Sequence, residues 1–179
     1  LYVGVAPAAL FESHDRGETW KLNSGLWKHP HRKQWQPGFG GLCLHTIVTD
    51  PKNPKDIKIA ISTGGVYQTN DGGENWKVTN TGVKAYFMPD QYPEFGQCVH
   101  KIARHPSKKK LFFLQNHHGV YRSRDGAVTW EEIENGLDPR SIHLLVEEIR
   151  NAVLGGVTQV VLTTHSPYLL DLLTLEQIV

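Results

Sequence analysis

The 179-residue sequence is poor in several things, and each shortage narrows what the chain can be. Two cysteines, Cys43 and Cys98, are too few for a disulfide framework of the kind that staples small secreted domains. No apolar run approaches the roughly 20 residues that span a bilayer. Charge of neither sign dominates: 19 Lys and Arg against 18 Asp and Glu leave a formal +1. That balance gives no field to draw the chain onto nucleic acid or an anionic membrane. The one basic run, Lys108-Lys109-Lys110, is most simply a solvated turn. No Gly-x-x-x-x-Gly-Lys-Ser/Thr stretch is present, so no glycine loop cradles a nucleotide's phosphates. No secretory leader is visible, and a cytoplasmic location is the expectation.

What is present is a repeat. "SHDRGETW" (13–20), "TNDGGENW" (69–76) and "SRDGAVTW" (123–130) share Ser/Thr-x-Asp with Trp five residues after the Asp. Trp20, Trp76 and Trp130 stand 56 and 54 residues apart. The likeness runs upstream: "IAISTGGVYQTNDGG" aligns with "FFLQNHHGVYRSRDG", and "GGLCLHTIVTDP" with "FGQCVHKIARHP". Each unit reads as four short strands, in the middle unit near 43–49, 57–62, 65–69 and 75–79. Asp and Gly tolerate positive φ, so the Asp-Gly dipeptides read as hairpin turns. A four-strand unit at this period predicts propeller blades.

Asp15, Asp71 and Asp125 invite a catalytic or calcium-binding reading. The tight turn supplies a simpler one, in which each carboxylate accepts the N–H groups of its own loop. Ala127 stands where the other two units have Gly, so its turn is expected to carry slight strain. A second constellation is Cys43-x-His45 and Cys98-x-His100, at equivalent places in adjacent units. Residues i and i+2 share a strand face. In a propeller the first strand lines the central channel, which would bring Cys43, His45, Cys98 and His100 together as zinc ligands. Repeat duplication and plain packing would produce the same equivalence. His117 and His118 interrupt the pattern of Thr63-Gly64-Gly65 and fall at a strand end.

The octapeptides resemble the Asp box, Ser-x-Asp-x-Gly-x-Thr-Trp, of sialidases, sortilin-type receptors and other propellers of the bacterial neuraminidase repeat class. "LHTIVTDP", "GVYQTNDGGENW" and "QCVHKIARHP" look like a branch of these proteins often labelled glycosyl hydrolases. The resemblance implies a mainly β fold over residues 1–130, an incomplete propeller of about two to three four-stranded blades. Such a piece would bind a glycan or protein ligand, and its open strand edges favour self-association. Sialidase chemistry needs an arginine cluster, a Tyr/Glu pair and an acidic proton donor. Arg122 and Arg124 flank an octapeptide instead, and the Arg-Ile-Pro signature is missing.

Beyond Trp130 the periodicity changes. "DPRSIHLLVEEIRNAV" carries apolar residues at 142, 145, 146, 149 and 153, one face of a helix that Pro139 would open. "TQVVLTT" (158–164) reads as a buried parallel strand and "HSPYLLDLL" as a turn into a further helix. Residues 139–179 are thus expected to run helix, strand, helix. This α/β tail, residues 131–179, resembles the C-terminal part of an ABC-type ATPase domain of the chromosome-maintenance class. Carried across, Glu131 takes the Mg-linked acidic position, Glu132 polarises the attacking water, Asp138 sits in the D-loop and His165 senses the γ-phosphate. Mg-ATP would be bound only by a complete parent domain, because the phosphate loop and the Leu-Ser-Gly-Gly signature are missing. "SRDGAVTWEEIENGL" belongs to both patterns, which places the junction between about Gly126 and Ile133. The reading as a whole is a binding or scaffold piece of a propeller with a vestigial ATPase tail. The alternatives are a glycoside hydrolase completed by further blades and an ATPase completed by an N-terminal lobe.

Overall fold

The computed structural model describes residues 1–134, 139–154, 156 and 172–173. The chain divides into two compact units, Leu1–Asn135 and Gly136–Val179. The first unit is mainly β and holds three antiparallel sheets, each a simple meander. Sheet one contains β1 (Tyr2–Val5), β2 (Ala9–Glu12) and β3 (Lys21–Leu22). Sheet two contains β4 (Leu44–Asp50), β5 (Asn53–Ile61), β6 (Gly65–Thr69) and β7 (Lys77–Val78). Sheet three contains β8 (Val99–Arg104), β9 (Phe112–Asn116), β10 (Val120–Ser123) and β11 (Glu131–Glu134). A short helix α1 (Ser24–Trp27) and a 3-10 turn (Pro30–Gln34) link the first two sheets.

The sheets pack face to face. Ile57, Ile59, Ile61 and Tyr67 join Leu10, Leu26, Trp35 and Leu44 in one core. Ala60 and Val66, on the opposite face of the same hairpin, join Val99, Ile102, Leu114 and Tyr121 in a second. Sheet two is therefore covered on both faces, and this is why β5 ends in the apolar run "IAI" rather than in alternation. The leading strands lie side by side, β1 against β4 and β4 against β8. At Gly4 this approach leaves no room for a side chain, since a Cβ there would fall 2.5 Å from Leu44 Cδ2.

The octapeptides close the outer hairpins as expected, and their carboxylates are consumed by their own turns. Asp71 Oδ1 accepts from Thr69 Oγ1 (2.6 Å), Glu74 N (3.0 Å) and Asn75 N (3.1 Å). Asp125 repeats the set with Ser123 Oγ, Val128 N and Thr129 N. Hydrogen bonds led by Thr19 for Asp15, and by Thr69 for Asp71, hold both carboxyls well below the usual carboxylate range. Burial pushes Asp125 up, but hydrogen bonds from Thr129, Ser123 and Val128 win and bring it to about 2. Ala127 takes φ +70°, the left-handed conformation expected where the other two units place glycine.

The tryptophans do more than cap their hairpins. Trp76 donates from Nε1 to Asn23 Oδ1 (3.1 Å), in the loop that closes sheet one. Trp130 donates from Nε1 to Thr79 O and from its backbone N to Thr81 O, both 2.8 Å, in the loop that closes sheet two. These loops, "NSGL" (23–26) and "NTGV" (80–83), share Asn-x-Gly followed by an apolar residue. Their glycines are the contact points. A Cβ on Gly25 would lie 2.1 Å from Gly73 O, and one on Gly82 only 1.9 Å from Trp130 O. One joint thus recurs between successive sheets: a glycine of one closing loop under the box of the next. Trp76 and Trp130 are buried in these joints, whereas Trp20, in sheet one, is 42% exposed. The sequence after β11, "ENGL" (134–137), keeps the Gly-apolar pair of these loops but has Glu134 where they have Asn.

One boundary differs from expectation. β11 pairs with β10 through Tyr121↔Glu132 and Arg122↔Glu131, so residues 131–134 complete sheet three. The first unit accordingly ends at Asn135 rather than at 130. In the second unit α2 (Pro139–Leu154) begins at the proline, and Val146 on its apolar face is buried. The strand expected at 158–163 and the helix after it lie outside the described residues. No described helix is long and apolar enough to cross a membrane.

Candidate functional site

A cavity of about 800 Å³ opens where the leading ends of sheets two and three meet. Three groups build its wall. The turn Gln36–Gly41 and the segment around Phe87, Met88 and Phe95 supply an apolar, aromatic lining. Phe39 and Phe87 project into solvent at its rim, and Phe95 stacks on His31 with ring centroids 4.2 Å apart. Polar groups converge at the floor: His45, Ser62, Thr63, Cys98, His100 and His117.

The histidines reach this floor through a backbone device. In β4, Leu44 pairs with Ile61 and Thr46 with Ala60, so His45 is an extra residue without a partner. In β8, Val99 pairs with Asn116 and Lys101 with Gln115, so His100 is the extra residue. Each is a β-bulge, which re-aims the side chain it carries. The two rings come to 5.1 Å between centroids. His117 arrives from the β9–β10 hairpin, whose turn is pinned by Asn116 Oδ1 accepting from His118 N (2.8 Å) and Gly119 N (2.9 Å). His100 Nε2 and His117 Nε2 are 2.9 Å apart, and Cys98 Sγ is 3.7 Å from His100 Nε2. One ligand atom from each of Cys98, His100 and His117 lies within 4.8 Å of the others.

Burial leads the lowering of the His100 pKa, with His117 and His45 adding like-charge opposition. Burial likewise raises the Cys98 thiol, partly offset by a hydrogen bond from the Thr63 backbone. At His100 this favours the neutral imidazole, the form that ligates a metal, whereas at Cys98 it favours the thiol, which must lose its proton to do so.

Of the four residues expected to converge, three meet here and Cys43 does not. Its Sγ contacts Gly40 O at 3.7 Å, inside the preceding turn. Its backbone N–H is held by Ser62 Oγ at 2.7 Å. His117 takes the place in the cluster. Its doubling with His118 at a strand end was the sequence signal for it.

The residues proposed from the ATPase resemblance are placed differently. Glu131 accepts from Arg122 (2.8 Å), the residue it pairs with across β10–β11. Glu132 accepts from Tyr86 Oη (2.9 Å) and pairs with Lys84 Nζ (3.1 Å). That carboxylate draws the Lys84 ammonium well above its ordinary range. Both glutamates are thus engaged by side chains of sheet three and its approach loop. Asp138 and His165 lie outside the described residues.

Comparison with known proteins finds both kinds of likeness. Residues 107–171 match the family described as "AAA domain, putative AbiEii toxin, Type IV TA system". That span begins within sheet three and runs through α2. A 78-residue segment is 30% identical to the oligoxyloglucan-reducing end-specific xyloglucanase of Emericella nidulans. A segment of the same length is 31% identical to the probable oligoxyloglucan-reducing end-specific xyloglucanase of Neosartorya fischeri. Each match covers 43% of this chain and 9% of the relative's length. Among solved structures, an ancestral GH74 enzyme aligns at 24% identity over 56% of this chain and 12% of its own, with a TM-score of 0.42. The Niastella koreensis GH74 enzyme aligns at 16% identity over 75% and 27%, with a TM-score of 0.35. The chain is therefore similar over 78 residues to xyloglucanases and over residues 107–171 to an AAA-type domain.

Proposed function

We propose that the first unit is a portion of an Asp-box β-propeller that binds a segment of a plant-type β-glucan, xyloglucan oligosaccharides being the leading class, and does not hydrolyse it. The observation that carries this reading is the open cavity of about 800 Å³ with Phe39, Phe87 and Phe95 along its lining. The exposed rings of Phe39 and Phe87 suit the apolar faces of pyranose rings, and the amide and hydroxyl groups of Gln34, Gln36 and Thr63 suit their hydroxyls. The similarity to xyloglucanases over 78 residues supports that choice of ligand class. Hydrolysis of a glycoside takes two carboxyl groups flanking the bond. The floor offers a thiol and imidazoles there instead, while Asp15, Asp71 and Asp125 are saturated by their own turns.

The AAA-type match favours a second reading, in which the tail serves a nucleotide-binding partner domain. The engagement of Glu131 and Glu132 within sheet three weighs against either glutamate handling Mg-ATP in this chain. Calorimetric titration of the full chain with xyloglucan oligosaccharides, together with a reducing-end assay on the same mixtures, tests the proposal. Saturable binding without release of new reducing ends is expected. Either the absence of binding or turnover of the oligosaccharide would overturn it.

A further inference from the structure

We propose that Cys98, His100 and His117 form a transition-metal site of the zinc class, with the fourth coordination position directed into the cavity and within reach of His45. The site is independent of the glycan reading, since it rests on the floor of the cavity and not on its aromatic wall.

A tetrahedral zinc ion has Zn–S near 2.3 Å and Zn–N near 2.0–2.1 Å, which sets the S···N edge at about 3.6 Å and the N···N edge at about 3.3 Å. The Cys98–His100 separation of 3.7 Å already matches the first edge. The His100–His117 separation of 2.9 Å is that of an N–H···N hydrogen bond, somewhat shorter than the second. His117 is exposed on a hairpin, so the pair can open by the few tenths of an ångström required.

A second, independent observation is the paired bulge. β-bulges at His45 and His100 interrupt two ladders at equivalent places and aim both rings at one space. Packing alone does not call for this, because the apolar neighbours Leu44 and Val99 already fill the core on either side. The departure of Cys43 from the cluster points the same way: duplication made the two Cys-x-His pairs alike, yet the turn at Gly38–Gly41 turns one thiol aside and leaves a mixed Cys/His set. One thiolate with two or three imidazoles suits zinc, cobalt and copper better than calcium or magnesium, which favour oxygen.

Binding balances as follows. The Cys98 thiol gives up one proton to solvent and its sulfur bonds to the metal. Whichever of His100 and His117 carries its proton on Nε2 shifts it to Nδ1, so both Nε2 lone pairs face the ion. Water, or His45 Nε2 or Nδ1, completes the tetrahedron. One proton is therefore released per ion bound near neutral pH.

Cobalt(II) titration of the full, reduced chain tests the site, because a cobalt–thiolate bond adds a charge-transfer band in the near ultraviolet and tetrahedral cobalt adds intense visible bands. Both sets of bands are expected at one ion per chain, displaced by zinc, with one proton released in paired-buffer calorimetry. Cys98→Ala should abolish the charge-transfer band. Cys43→Ala should leave the titration unchanged. His117→Ala, on an exposed hairpin and outside both cores, should weaken binding roughly tenfold or more while leaving the circular dichroism spectrum intact. That variant keeps the proposal testable if Cys98→Ala does not fold. A folded wild-type chain without the band, a band that survives Cys98→Ala, or His117→Ala binding with wild-type affinity would each overturn it.

Discussion

Replacing Gly82 by alanine probes the joint between sheets two and three, and Gly126→Ala is its natural control. The two glycines have nearly the same backbone, φ +91° and +93°. A Cβ at Gly126 meets nothing within 4 Å, whereas one at Gly82 falls 1.9 Å from Trp130 O. Both variants incur the conformational cost of a side chain at positive φ, about 1–2 kcal/mol. Both recover about 0.5–1 kcal/mol from a stiffer unfolded chain. Gly126→Ala should therefore cost about 1 kcal/mol. At Gly82 the new methyl sits roughly 1.4 Å inside the ~3.3 Å of a close C···O contact, and its obstacle is backbone. The strand must move, and with it go the 2.8 Å bond from Trp130 N to Thr81 O and the 2.8 Å bond from the indole to Thr79 O. At about 1 kcal/mol each, plus partial exposure of a Trp that is now 5% exposed, Gly82→Ala should cost about 3–4 kcal/mol. The two variants should then differ by about 2 kcal/mol or more, a gap of roughly 8 °C in Tm for a unit of this size. Differential scanning calorimetry of both reads this directly. Equal Tm values would show that the glycine is retained for its dihedral alone and that no joint exists there.

Three other outcomes follow from the same structure. Asn23→Ala removes the cap on Leu26 N (2.9 Å) and one of the two acceptors of the Trp76 indole, the other being Gly73 O, and should lower stability by about 1–2 kcal/mol in urea denaturation. The carboxyls of Asp15, Asp71 and Asp125 have folded-state pKa values below the unfolded value near 3.9, so their stabilisation is complete above about pH 5 and is lost as pH falls through 4 toward 2; Asp125→Asn should flatten this acid limb, seen as a smaller drop in Tm between neutral and acid pH. Charge reversal at Glu132 should separate the two readings of β11: Glu132→Lys opposes Lys84 and leaves Tyr86 Oη without its acceptor, so Tm should fall while any nucleotide binding by the chain stays unaltered.

The hairpins were legible because their chemistry is local. Ser/Thr-x-Asp-x-Gly names its own hydrogen bonds, and the spacing of the three tryptophans announced the period. Strand ends were less so: β5 starts at Asn53 rather than 57, and β7 holds only Lys77 and Val78, because ladder length is set by partner strands and not by propensity. The joint was hidden for a related reason. "NSGL" and "NTGV" look like ordinary turns, and only the approach of a neighbouring sheet shows why Gly25 and Gly82 cannot carry a Cβ. At the site, the equivalence of the Cys-x-His pairs was visible, but alternation along a strand assumes an unbroken ladder. The bulges at His45 and His100 break it, and the turn beside Cys43 diverts one thiol. At the seam, "TWEEIENGL" fitted two families equally in sequence. The fold sets Glu131 opposite Arg122 across the β10–β11 hairpin and brings Glu132 beside Lys84 and Tyr86 of the loop before sheet three, a neighbourhood that the linear sequence does not show.

The central claim, that the cavity between sheets two and three is a glycan site, is tested most directly by isotope-edited NMR of the full chain with labelled phenylalanine. Titration with xyloglucan oligosaccharides should shift the ring signals of Phe39, Phe87 and Phe95 together, along one saturating curve, and Phe87→Ala should weaken binding roughly tenfold while leaving the spectrum of the sheets unchanged. Saturable shifts confined to other phenylalanines, such as Phe112 or Phe113 of β9, or no shifts at all, would contradict it.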